Sequence, residues 1–241
     1  MADKEEVTKI VRLSELSEVQ FATSGVPEID KMTGGFPRAR ITEVYGKTGV
    51  GKTTLMTKCL SVMSVDHKVL FIDAENALNK DRVVELGGDL TKIDVSTEYR
   101  LEKVADLVLE SISKYDIIVV DSIAALVPKK ESEGATGDAN IGVKAKLIHQ
   151  WIRKLVGLLG KSECALVFIN QLRESPDMFT PEYTTGGLAI PYASSLRLRL
   201  SSNKGDRISK SGAFVGHWVN VEVAKSKVGK PHLKTKFKLS Y

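Results

Sequence analysis

No apolar run in this chain of 241 residues approaches the roughly 18 to 20 residues needed to cross a bilayer. Its first residues, Met1-Ala2-Asp3-Lys4-Glu5-Glu6, lack the apolar centre of a secretory leader. The expectation is a cytoplasmic protein with no membrane partner. Cysteine is scarce as well. Cys59 and Cys164 have no C-x-x-C spacing and no nearby histidine cluster, so they read as reduced packing residues rather than a disulfide or a metal site. Acidic residues run short toward the end of the chain. From Arg197 onward, Arg197, Arg199, Lys204, Arg207, Lys210, Lys225, Lys227, Lys230, Lys234, Lys236 and Lys238 are opposed only by Asp206 and Glu222. The overall charge of +5 says little, but a segment this basic points to a polyanionic partner. Lysines also blunt exposed sheet edges, which is the plainer reading of the same segment.

What the chain does contain fits one principal α/β domain, with 42% hydrophobic and 27% charged residues. The central motif is Gly46-Lys47-Thr48-Gly49-Val50-Gly51-Lys52-Thr53, between the apolar run 41–45 and a helix-like run 54–65. This is the G-x-x-x-x-G-K-S/T phosphate loop in a strand-loop-helix setting. Gly46 and Gly51 permit turns in which successive N–H groups face phosphates, and the following helix adds the positive end of its dipole. Lys52 is expected to reach the β- and γ-phosphates, and the Thr53 hydroxyl to bind Mg²⁺. The nucleotide set thus runs through Gly46, Lys47, Thr48, Gly49, Val50, Gly51, Lys52, Thr53 and Thr54.

Residues 9–13 are the only apolar stretch in an otherwise polar segment 1–24, and they predict a lone strand available for a subunit contact. Residues 25–241 form the expected core. Gly34-Gly35-Phe36-Pro37 reads as a turn. Strands are expected at 40–45, 68–73, 117–121 and 165–169, and amphipathic helices at 101–112 and 147–159. Four β-branched residues at 117–120 suit a strand buried on both faces of a parallel sheet. Two irregular segments, 131–142 and 173–187, interrupt this order. Beyond them Leu196, Leu198 and Leu200 alternate with arginines, and Val219, Val221 and Val223 alternate with polar residues, as do Phe237 and Leu239 with lysines. These predict half-exposed antiparallel strands extending the parallel sheet, with helices on both faces.

In open α/β sheets ligands lie beyond the carboxyl ends of the strands. Gly46, the Asp73 and Glu75 pair, Asp121 with Ser122, and Asn170 with Gln171 all fall at such ends. Asp121 fits the carboxylate that holds Mg²⁺, and Glu75 the base that activates water. Gln171, with both a donor and an acceptor, is placed to sense a γ-phosphate.

The segments Phe71-Ile72-Asp73-Ala74-Glu75-Asn76-Ala77-Leu78, Val119-Val120-Asp121-Ser122-Ile123-Ala124-Ala125-Leu126, Glu133-Gly134-Ala135-Thr136-Gly137-Asp138, Phe168-Ile169-Asn170-Gln171-Leu172-Arg173 and Thr184-Thr185-Gly186-Gly187 occur in an order that resembles the bacterial RecA recombinase family. The similarity covers about residues 24 to 241. It implies a RecA-like P-loop ATPase core that uses ATP and Mg²⁺, assembles as a helical filament on single-stranded DNA, pairs it with double-stranded DNA and exchanges strands. By matching motif, Lys52, Thr53 and Asp121 hold Mg-ATP, Glu75 is the catalytic carboxylate and Gln171 the switch. The first DNA-binding loop carries Gly134, Ile141 and Gly142, with Ile141 wedging between bases. Lys146 and Arg153 match basic positions on the helix that follows. The second loop carries Arg173, Phe179, Thr184, Thr185, Gly186 and Gly187. Lys225 and Lys227 match lysines that reach a neighbour's ATP like arginine fingers.

Where the family holds the adenine with Asp and Tyr, this chain has Asn79 and Arg82, and an arginine there can stack on the purine. The resemblance ends without the family's C-terminal domain and acidic tail, so readier, strongly salt-dependent DNA binding is expected. The alternative is a regulatory paralogue that binds ATP and DNA with little turnover. Retention of Glu75, Gln171, Lys225 and Lys227 together argues against it. The two Gly-rich loops argue against a ring-forming helicase motor.

Overall fold

Buried β-branched runs build the centre of a sheet, and the helices between them cover its faces. The computed structural model describes residues 10, 12–134, 142–174, 182–210 and 212–240. In chain order the elements begin with β1 (Phe21–Ala22), α1 (Pro27–Thr33), β2 (Phe36–Pro37), β3 (Arg40–Gly46), α2 (Lys52–Asp66) and β4 (Val69–Asp73). They continue with α3 (Lys80–Glu85), β5 (Ile93–Ser96), α4 (Leu101–Ser111), β6 (Ile117–Asp121), α5 (Lys129–Glu133) and α6 (Val143–Leu159). The remainder is β7 (Ala165–Glu174), β8 (Glu182–Thr184), α7 (Ala189–Ala193), β9 (Leu196–Ser201), β10 (Arg207–Lys210), β11 (Ala213–Ser226) and β12 (Lys234–Ser240).

The main sheet runs β10-β11-β9-β3-β7-β6-β4-β5, with β12 on the other edge of β11 and β8 on the extension of β7. From β9 to β5 all neighbours are parallel, so their carboxyl ends share one side of the sheet. One face packs on α2 through Leu55, Met56, Leu60 and Met63. The other packs on α4 and α6 through Val104, Val108, Ile148, Trp151 and Leu155. The Trp151 and Phe168 rings, 5.3 Å apart and tilted, key α6 onto β7.

Several expectations change on contact with the structure. β9 is parallel to β3, not antiparallel, and only β11 and its partners reverse direction. Alternation in Leu196–Ser201 reports that one face is covered and the other half-open, which says nothing about strand direction. Gly34 ends α1 in the left-handed region, but Phe36–Pro37 is then a short strand paired with β1 rather than part of a turn. Within the irregular segment expected at 173–187, Arg173 and Glu174 pair with Tyr183 and Glu182, and a turn at 185–187 follows. Near the N-terminus Leu13 opens a single 3-10 turn instead of a strand, and Ile10 and Leu13 are largely exposed. Lys9 and Val11 lie outside the described residues.

Candidate functional site

Parallel register brings four strand ends together. Gly46 lies opposite Gln171 on β7, and Asp73 lies opposite Asp121 on β6. The loop after β3 turns back into α2, whose N-cap Gly51 has φ 92°. Its glycines answer to the sheet beneath as well as to the space above. A Cβ on Gly51 would sit 2.5 Å from Leu239 Cδ1, and one on Gly46 would sit 2.5 Å from the Leu200 carbonyl oxygen. Beside Leu239, His217 Nε2 lies 3.4 Å from the Val50 oxygen, so β11 and β12 form the floor of the loop.

Lys52 is buried and donates to the Gly46 and Lys47 carbonyls at 3.0 and 2.9 Å. Burial lowers its pKa, and Glu75 and Asp121 pull the other way. The Thr53 hydroxyl donates to Asp121 Oδ2 at 2.9 Å. Burial pushes the Asp121 carboxyl up to about 7, Thr53 opposes that shift, and the negative charges of Glu75 and Asp73 add to it. This pocket of carboxylates around one hydroxyl favours a cation. No cluster of three or more metal-ligating His, Cys, Asp or Glu side chains occurs among the described residues. The Thr53 hydroxyl and the Asp121 carboxylate, side by side, suit Mg²⁺, which binds through one or two protein oxygens plus phosphate and water.

Asp73 has a structural part that its position in the sequence did not reveal. It accepts from the Ala77 and Leu78 N–H groups at 3.0 and 2.9 Å and closes the turn that carries Glu75. Glu75 accepts from Gln171 Nε2 at 3.2 Å and from the Ser122 hydroxyl, so β4, β6 and β7 meet at one carboxylate. Asn79 and Arg82 sit beyond that turn on α3. The Asn79 side chain caps the helix, and Arg82 donates to Glu85 and to the Ser240 carbonyl.

The DNA-binding candidates are carried by the segments that flank β6, α6 and β7. Gly134 ends α5, Gly142 caps α6, and Lys146 and Arg153 are exposed on α6. Arg173 is exposed on β7, Thr184 closes β8, and Thr185, Gly186 and Gly187 form the turn that leads to α7. Ile141 and Phe179 lie outside the described residues. Below Gln171 is a buried network that was missed, although an acid inside a buried strand was its signal. Glu43, fully buried, accepts from Arg197 at 2.6 Å and from Asn170 at 3.0 Å, and Asn170 also donates to the Thr185 carbonyl at 2.9 Å. On the rim, Lys47 pairs with Glu174 at 2.6 Å and Arg199 with Glu182 at 2.6 Å, which ties the β7–β8 hairpin to the phosphate loop and to β9.

Lys225 and Lys227 are not part of this cluster. The Lys227 N–H bonds to Ser195, whose own N–H bonds to Ile41 at the amino end of β3. From Ile41 to Gly46 the strand rises roughly 16 Å, beyond the reach of a lysine side chain. The two ammonium groups instead donate to carbonyls of Pro191 and Tyr192 at the end of α7. Next to them a groove of about 600 Å³ opens between α6 and α7 and runs from Gly186 and Gly187 past Arg153 to Val156 and Tyr192. Leu188 and Tyr192 are 64% and 68% exposed, so this end of the molecule presents apolar surface beside two cations.

The RecA N-terminal domain family model matches residues 3–241. Protein RecA of Clostridioides difficile (strain 630) is 41% identical over 214 residues, covering 86% of this chain and 61% of the relative. Protein RecA of Petrotoga mobilis is 42% identical over 205 residues, covering 82% and 55%. Protein RecA of Picosynechococcus sp. is 39% identical over 232 residues, covering 92% and 66%. The chain thus spans about three fifths of the length of these relatives.

Proposed function

The chain belongs to the RecA family, and from that premise we propose that it is an ATP-dependent DNA recombinase of the cytoplasm. In this reading it polymerises on single-stranded DNA, hydrolyses ATP to ADP and phosphate at contacts between protomers, and promotes pairing and strand exchange with double-stranded DNA. One observation carries the reading. Lys52, Thr53, Asp121, Glu75 and Gln171 converge at the carboxyl ends of neighbouring strands, while Lys225 and Lys227 stand at the opposite end of the same sheet.

Each residue then has a task that its geometry permits. The loop from Gly46 to Thr54 holds the phosphates, with Lys52 exchanging loop carbonyls for phosphate oxygens. Thr53 and Asp121 would hold Mg²⁺, which when bound neutralises charge on the phosphates. Glu75 orients and deprotonates water, and Gln171 connects the site to the β7–β8 hairpin. Lys225 and Lys227 serve a neighbour's triphosphate, with the exposed Leu188 and Tyr192 near them as protomer contact surface. The exposed Gly134, Gly142, Lys146, Arg153 and Arg173, with the turn from Thr184 to Gly187, take the DNA.

The test is ATP hydrolysis with and without single-stranded DNA, beside a Glu75→Gln control. Stimulation by DNA that disappears in the control is the expected result. A second reading, a regulatory paralogue with little turnover, draws on Asn79 and Arg82, whose side chains are taken up by a helix cap, Glu85 and Ser240. Tight ATP and DNA binding without turnover would favour it.

A further inference from the structure

Glu75 is exposed on a turn, and a free glutamate side chain there samples many rotamers. Two donors restrain it, and both bind the same oxygen. The Ser122 hydroxyl and Gln171 Nε2 donate to Oε1, while Oε2 has no hydrogen-bond partner among the described residues. The donors differ in their freedom. Gln171 stands half-exposed at the mouth of β7, and its proposed role requires it to turn toward a γ-phosphate. Ser122 is fully buried, its carbonyl accepts from Ala125, and the next N–H, that of Ile123, bonds to Ile169. It has no room to leave.

We propose that Ser122 is the positioning residue for Glu75, anchoring Oε1 when Gln171 departs so that Oε2 stays aimed at the attacking water. The inference deepens the function proposed above and rests on it. In the step it serves, the water oxygen bonds to the γ-phosphorus, the bridging oxygen leaves with ADP, and the water proton passes to Oε2. Ser122 keeps its own proton throughout. Lys52 from α2, Asp121 from β6 and Asp73 from the start of the same turn are the charged groups gathered around Glu75. None of them donates a hydrogen bond to Oε1.

The experiment is DNA-stimulated ATP hydrolysis by Ser122→Ala, Ser122→Cys, Glu75→Gln and the double variant Ser122→Ala/Glu75→Gln, with affinity for a non-hydrolysable ATP analogue measured on each. Loss of a hydrogen bond to a charged acceptor predicts a fall in kcat of about tenfold to a hundredfold for Ser122→Ala. KM for ATP and analogue affinity stay within about twofold, as expected for an interaction that matters only in the transition state. Ser122→Cys, a weak donor of similar size, lies between. Because Ser122 acts through Glu75, adding Ser122→Ala leaves the residual single-turnover rate of Glu75→Gln unchanged. Unchanged kcat in Ser122→Ala, or an equal further loss in the double variant, overturns the assignment, as does a parallel loss of analogue affinity in both single Ser122 variants. Absence of turnover in the unaltered protein overturns the proposed function itself, and this inference with it.

Discussion

Asp121 shows how much of a site resides in the surroundings of one side chain. Its carboxyl is pushed up to about 7, first by burial, and the folded chain therefore favours the protonated form. For a group raised in this way, the stability it contributes is present below the unfolded value near 4 and is lost as pH rises through about 7. Asp121→Asn removes the charge at every pH. Melting in EDTA is expected to show the variant more stable above pH 7, by roughly 2 to 4 kcal/mol, with the gap closing as pH falls toward 4. A constant gap across that range would mean the Asp121 charge is not its cause. The same substitution is expected to abolish Mg²⁺-dependent hydrolysis. The positions of Asp121, Glu75 and Gln171 were legible because each follows a buried apolar run, which identifies a strand end from sequence alone. Ser122 and Asp73 were visible at the same ends, but their tasks were not. Which atom a hydroxyl or a turn-closing carboxylate faces is settled by elements far away in the chain.

At the scale of elements, continuous apolar runs such as Ile117–Asp121 disclosed the parallel strands, and helical spacing disclosed α4 and α6. Short strands with little apolar character, β5 and β10, left no comparable trace. The direction of β9 was misjudged because periodicity records exposure, and a strand with one face covered and the other half-open alternates whichever way it runs. The support that β11 and β12 give the phosphate loop was equally hidden, since Leu239 and Gly51 lie far apart in the sequence. That support predicts a functional cost for a core change remote in sequence. Leu239→Ala is expected to destabilise the fold by about 2 to 4 kcal/mol and to raise KM for ATP, with kcat little changed, in urea melts and steady-state kinetics. A destabilised variant with normal KM would show that the loop needs no floor.

On the scale of the whole molecule, the proposed DNA path along α6, where Lys146 and Arg153 are exposed, predicts DNA affinity that falls steeply with salt. Neutral substitution of Lys146 and Arg153 together is expected to reduce the slope of log affinity against log salt by about 1 to 2. Fluorescence anisotropy titrations over a range of salt would measure it, and an unaltered slope would remove this face of α6 from the DNA path.

The separation of Lys52 from Lys225 and Lys227, at opposite ends of one sheet, has a statistical consequence. If each reaction centre is shared between two copies, the chain carries half of one centre and half of another. A stack of such chains has one terminus with a nucleotide loop to spare and one with lysines to spare. A variant disabled at Lys52 and a variant disabled at both Lys225 and Lys227 should each be inert alone. Mixed in equal amounts and copolymerised at random, they place an intact loop against intact lysines at about a quarter of their junctions. Two dead proteins are then expected to yield about a quarter of the unaltered rate.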